Sequence, residues 1–159
     1  MKDYSDIITS IDQKHLQEWT SGSGVSEEIA SLNIESLSKE ELNERIKPKY
    51  PVKTGGWHCR GVNWRNGQRM GTHYGQSKPD KPHKVNPESS KTAKYLTATG
   101  LEPDAVFLAT PDQEYWGKVH ADTNLTRVWA EGAKKAGAGL SNGLPTIAVT
   151  GVWNWGKNG

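Results

Sequence analysis

With 159 residues the chain is about one domain long and has room for a modest core. Apolar residues make up only 33%, mean hydropathy is -0.77 and there are 17 glycines, which predicts long loops, while seven tryptophans exclude outright disorder. A net charge of +2 is too small to mark the whole chain as a nucleic-acid binder, and the lone Cys59 excludes an intramolecular disulfide or an all-thiolate metal site. No apolar run is long enough for a signal peptide or a membrane span, so a cytoplasmic setting without a membrane partner is expected.

The first third reads as short helices. Asp12 can cap "QKHLQEWT", in which Leu16 and Trp19 share a face, and "SGSG" breaks it. Ser26 starts "EEIASL", whose Glu27 and Glu28 suit the positive end of a helix dipole. Ser38 and Glu41 then stand at capping-box spacing, and Pro48 and Pro51 close the region. A DNA-reading helix-turn-helix is disfavoured, because "EEIASLNIES" carries three glutamates and no Lys or Arg to face phosphates.

The middle of the chain is basic. Between Arg45 and Lys94 the only acids are Asp80 and Glu88, whereas acids outnumber bases before it. "TGGWHCRGVNWRNGQRM" predicts a hairpin or small meander, with Asn66-Gly67 as its turn, Cys59 buried and His58 exposed. "GTHYGQSKP" follows as a further strand, and "DKPHKVNPESSK" as a loop. Arg60, Arg65, Arg69 and Lys78 alternate here with Trp64 and Tyr74. Bases beside stacking platforms are what single-stranded DNA or RNA binding requires, and these six residues are the candidate nucleic-acid contacts. The alternative is that the tryptophans are core and the lysines a solvated surface. A zinc site from His58, Cys59, His73 and His83 is disfavoured, since structural zinc prefers paired short spacings.

The last third has the clearest rhythm. "DAVFLAT" is an apolar strand, "PDQEYWGKVH" a helix with proline in its first turn, and "LTRVWAE", "GAKKAGAGLSNG" and "PTIAVTGV" form a βαβ unit. Its strands are continuously apolar, which predicts a parallel sheet covered on both faces. The chain is therefore expected to be α+β: N-terminal helices over 1–50, a basic β-rich segment over 51–100 and an α/β unit over 101–159. Glu131-Gly132 falls where the first strand ends and the helix begins, the edge at which open α/β sheets bind ligands.

"WAEGAKKAGAGLSNGLPTIAVTGVWN" resembles the first motif of the Toprim fold of bacterial-type primases, topoisomerases and related nucleases. Glu131, Gly132, Lys134, Ala136, Gly143 and Gly151 take the motif's places. More widely, "HLQEWTSGSGVSEEIASLNIESL", "GGWHCRGVNW", "SKPDKP", "KYLTATG" and "EGAKKAGAGLSNGLPTIAVTGVWNW" resemble, in that order, an uncharacterised Toprim-like, primase-related domain. That domain occurs in cyanobacterial, plasmid and phage replication proteins, often ahead of a helicase-like ATPase. The resemblance implies that Glu131 is the catalytic acid and a ligand of Mg2+ or Mn2+, with Gly132, Lys134 and Lys135 at the phosphate. It further implies single-stranded DNA or RNA and a helicase-like ATPase as partners. The chain departs from the pattern in one respect. Toprim domains carry a later Asp-x-Asp motif, and here no acid follows Glu131. The sequence thus reads as a fragment cut before that strand, or as a relative that kept the fold without the chemistry. Catalysis by this chain alone is not expected.

Overall fold

The computed structural model describes residues 11–84, 86–101 and 104–150. Five helices and three small sheets make a mixed α+β architecture. The first sheet has the order β1-β2-β3, formed by Ile34–Leu37 (β1), Gly56–Cys59 (β2) and Gln76–Pro79 (β3), all antiparallel. His83–Lys84 (β4), inside the segment expected to be a loop, pairs in a two-residue ladder with Thr92–Ala93 (β5) just beyond it. In the third sheet, Ala105–Val106 (β6) lies antiparallel to Thr146–Val149 (β8), which lies parallel to Val128–Glu131 (β7).

The helices begin where local chemistry predicts. In Glu27–Asn33 (α2) the Ser26 hydroxyl accepts from the Ile29 amide, satisfying one of the orphan donors of a helix start. In Lys39–Ile46 (α3) the capping box is complete: Glu41 N–H donates to Ser38 Oγ, and Ser38 N–H to Glu41 Oε2 at 2.8 Å. Gln13–Trp19 (α1) has Asp12 at its N-cap, but the carboxylate makes no cap hydrogen bond. Tyr115–Ala121 (α4) starts four residues beyond Pro111, so that proline lies outside its first turn. Ala133–Ser141 (α5) is the crossover helix of the βαβ unit.

One hydrophobic cluster draws on all parts of the chain. It joins Trp19, Ile29 and Ile34 to Trp57 and Cys59, then to Leu108, Trp116, Ala133, Ala136, Ile147 and Ala148. Trp19 and Trp57 meet edge to face with ring centroids 5.3 Å apart, an arrangement favoured by the ring quadrupoles. A smaller cluster of Leu37, Leu42, Ile46 and Val52 seats α3. Among the described residues no helix is long and apolar enough to cross a membrane.

Three expectations are corrected. Ile34–Leu37, expected to continue the helical N-terminal region, is strand β1, because Ile34 to Leu37 pair in register with Cys59 to Gly56. His58, expected to be exposed, is 1% exposed, because β2 is the central strand of its sheet and is covered on both faces. Strand β7, expected to be covered on both faces, alternates half-buried Val128 and Ala130 with exposed Trp129 and Glu131. It is an edge strand of its sheet, and only β8 has the fully buried character of a central parallel strand.

Candidate nucleic-acid site

Glu131 ends β7, and Gly132 turns the chain into α5. The turn needs glycine: φ is +89° at Gly132, a region that residues with a Cβ rarely occupy. The Gly132 amide donates to Val149 O at 2.9 Å, which pins the turn to β8. The next amide, of Ala133, donates to Gln76 Oε1 at 3.0 Å in a buried position. This orphan donor of the helix start is therefore used by a side chain from β3 and is not offered to a phosphate. Glu131 is exposed and, among the described residues, makes no hydrogen bond or ion pair.

The two lysines of the first turn of α5 have different surroundings. Lys135 is exposed. Lys134 Nζ lies 2.6 Å from Glu18 Oε1, while Lys78 Nζ from β3 lies 2.6 Å from Glu18 Oε2, and all three side chains are mostly buried. Burial opposes ionisation of Glu18, but hydrogen bonds from Lys134 and Lys78 outweigh it and hold the carboxyl below its ordinary range. Two of the sequence-predicted cations thus serve an internal acid.

Two cavities adjoin at this corner. Glu131, Gly132, Lys134 and Lys135 line a cleft of about 810 Å³ with Gln76 and Tyr95. Arg60, Trp64, Arg65 and Tyr74 line a second pocket of about 310 Å³ with Phe107 and Asp104. Thr97 and Thr150 border both. The structure therefore gathers four of the six predicted nucleic-acid contacts beside the predicted phosphate and acid residues. Arg69 and Lys78 are not among them. Arg69 donates to the Leu32 carbonyl and lines a separate pocket with Asp112 and Trp116, and Lys78 holds Glu18.

In the second pocket the Arg65 guanidinium sits 5.0 Å from the Trp64 ring centroid, and Trp64 lies 4.3 Å from His120. Arg60 has a buried Nε with no hydrogen-bond partner. Such an orphan is costly in an interior. Trp57, in contrast, is 1% exposed and belongs to the core.

The donors for a metal are few. Among the described residues no three His, Cys, Asp or Glu side chains gather as a metal would require. His58 hydrogen-bonds Ser77 Oγ at 2.8 Å, and burial, with help from the Arg45 charge, pushes its pKa down to about 3. Burial pushes the Cys59 thiol up to about 12, so it behaves as a small apolar residue. Glu131 is the one carboxylate in its cleft, beside two ammonium groups. This donor set does not by itself fit a Mg2+ or Mn2+ ion, which takes several oxygen ligands.

Sequence reasoning did not single out Glu18, Gln76 or Asp104. Each reaches the site from a segment distant in sequence from Glu131.

Residues 115–159 match a family described as a domain of unknown function (DUF3854). The chain is similar to an uncharacterized protein of the cyanobacterium Picosynechococcus sp. strain PCC 7002, with 31% identity over 91% of this chain. It spans 18% of that protein's length. No solved structure matches. The chain is thus similar, in the segment that carries α4, β7, α5 and β8, to a domain family described so far without a function, and over most of its length to one part of a much longer cyanobacterial protein.

Proposed function

We propose that this chain is a nucleic-acid-processing module of a replication protein, Toprim-like and primase-related in ancestry, that holds single-stranded DNA or RNA along the two adjoining cavities. The observation that carries the reading is the shared border at Thr97 and Thr150. It sets an aromatic, cation-lined pocket directly beside the cleft of Glu131 and Lys135. Stacking surfaces next to phosphate neutralisers suit an unpaired strand whose bases are accessible. Exposed Arg65 and Lys135 are the residues that contact phosphate. Glu131 offers a carboxylate at the mouth of the cleft, able to accept or return a proton at a nucleotide hydroxyl. Were further acids to join Glu131, the group could hold a divalent metal that would neutralise charge at a transferring phosphate.

A second reading, binding without chemistry, is favoured by one observation. Among the described residues that line its cleft, Glu131 is the one carboxylate. Two measurements separate the readings. The purified chain should bind labelled single strands at low salt, with affinity falling steeply as salt rises. Arg65→Ala combined with Lys135→Ala should reduce the slope of log K against log salt by about 1.4, at about 0.7 per phosphate contact on a single strand. Absence of binding at low salt, or an unchanged slope, would refute the proposed grip. Metal-dependent primer synthesis by the full-length protein, lost in Glu131→Gln while strand binding persists, would establish the enzyme over the binding module.

A further inference from the structure

The geometry points to a base-reading role for the smaller pocket: it selects guanine from a single strand, using Asp104 and Arg60. The inference rests on the proposed strand binding and deepens it. The pocket, at about 310 Å³, lies at the small end of ligand sites, whose volumes run from roughly 300 to 1,000 Å³, and suits one base with little else. Its walls include Trp64, Tyr74 and Phe107, which supply flat apolar surface for an unstacked ring.

Two polar groups of opposite character complete it. Arg60 presents a guanidinium whose buried Nε–H lacks an acceptor within the protein. Asp104 presents a carboxylate, one oxygen of which accepts from the Ala105 amide at 2.7 Å, while the other has no partner among the described residues. A carboxylate accepts only, and a guanidinium donates only. The matching ligand must carry donors on one edge and acceptors on another.

Guanine does so. Its N1–H and N2–H2 form a donor pair that a carboxylate can receive, and O6 and N7 form the acceptor pair most often met by arginine. Adenine offers an acceptor at N1 where Asp104 needs a donor. Thymine and uracil have a single ring N–H between two carbonyls, which would face the carboxylate with repulsion. Cytosine gives Asp104 one amino donor, with the N3 acceptor beside it. Of the four bases, guanine alone sets two adjacent donors against the carboxylate and keeps a separate acceptor pair for Arg60. A base that leaves the buried Arg60 Nε–H without an acceptor is disfavoured more strongly than lost contacts alone would disfavour it.

The test uses short oligothymidylate and the same strand carrying one central guanine or one central adenine, as DNA and as RNA. The guanine strand should bind at least about tenfold more tightly than the other two, the margin expected of one well-made base contact pair. Asp104→Asn should remove that margin; plain oligothymidylate should bind the variant at least as tightly, because the carboxylate that repels thymine carbonyls is gone, and an unchanged melting temperature shows that the variant is folded. Equal, measurable binding of all three strands would overturn the guanine pocket and leave strand binding standing. So would a guanine preference that survives Asp104→Asn. Failure of all three strands to bind would overturn both.

Discussion

Lys134 Nζ lies 2.6 Å from Glu18 Oε1, joining the first turn of α5 to α1 across 116 positions of sequence. With Lys78 on the other carboxylate oxygen, also at 2.6 Å, Glu18 ties the N-terminal helix to α5 and to strand β3. The arrangement is a mostly buried carboxylate with two charged donors, stronger than an exposed ion pair. Glu18→Gln should therefore destabilise the chain at neutral pH by about 1–3 kcal/mol, the range for hydrogen bonds to charged groups. Because the folded-state pKa is depressed, this stabilisation is present above the ordinary value of 4.5 and is lost as pH falls through the lower folded value. Denaturant unfolding at pH 7 and at pH 3 should show the difference between wild type and variant shrinking at the lower pH. A difference that persists undiminished would rule out the charge as its source.

His58 makes the opposite kind of demand. It is buried as the neutral ring, with its pKa down to about 3 against an ordinary 6.5. In that interval the unfolded chain binds a proton that the folded chain refuses, so stability falls as pH drops from 6.5 toward 3. The melting temperature of the wild type should decline across this window. In His58→Gln the decline should be shallower, on top of a lower starting value from the altered contact with Ser77. Equal slopes would exclude His58 as the titrating group.

Gln76→Ala would leave the Ala133 amide without its acceptor in a buried place. The expected loss is about 1–3 kcal/mol, the penalty of an unsatisfied buried donor. Because this amide starts α5, hydrogen exchange should quicken first over Ala133 to Ala136. Uniform acceleration over the whole molecule would contradict a local role.

Gly75 has φ +104°, and a Cβ there would stand 1.9 Å from the Cys59 carbonyl oxygen. Gly75→Ala must therefore displace backbone between β2 and β3. It should unfold the chain or lower its melting temperature severely, whereas Gly100→Ala, with open space around it but φ +82°, should cost only about 1–2 kcal/mol of left-handed strain. Thermal denaturation of the pair provides the comparison, and similar melting temperatures would refute the close approach.

Much of the fold was legible where the deciding contacts are short in sequence. The Ser38–Glu41 box spans three residues and needs no tertiary information, and the parallel pair of β7 and β8 follows from two apolar runs around one helix. Strand β1 was not legible. "IESL" continues the apolar spacing of α2, and only pairing with β2, 19 to 25 positions away, makes it extended. His58 was misplaced for a related reason. Alternation along a strand predicts one exposed face only when one face is open, and β2 has neighbours on both sides and cover on both faces. In the candidate site, the Glu131-Gly132 turn could be read directly. Its counterparts could not, because Glu18, Gln76 and Asp104 lie on three other segments and converge only after folding.

The hydrogen bond from Ala133 to Gln76 also bears on how this protein can be dissected. A fragment starting at 101 would retain β7, α5 and β8, yet would leave behind the acceptor for the first amide of α5, the Glu18 partner of Lys134 and the Trp19 ring that packs beneath Gly137. The segment that matches a family by sequence is thus smaller than the unit that can stand in water, and an expression boundary drawn at the match would cut through the fold's own supports.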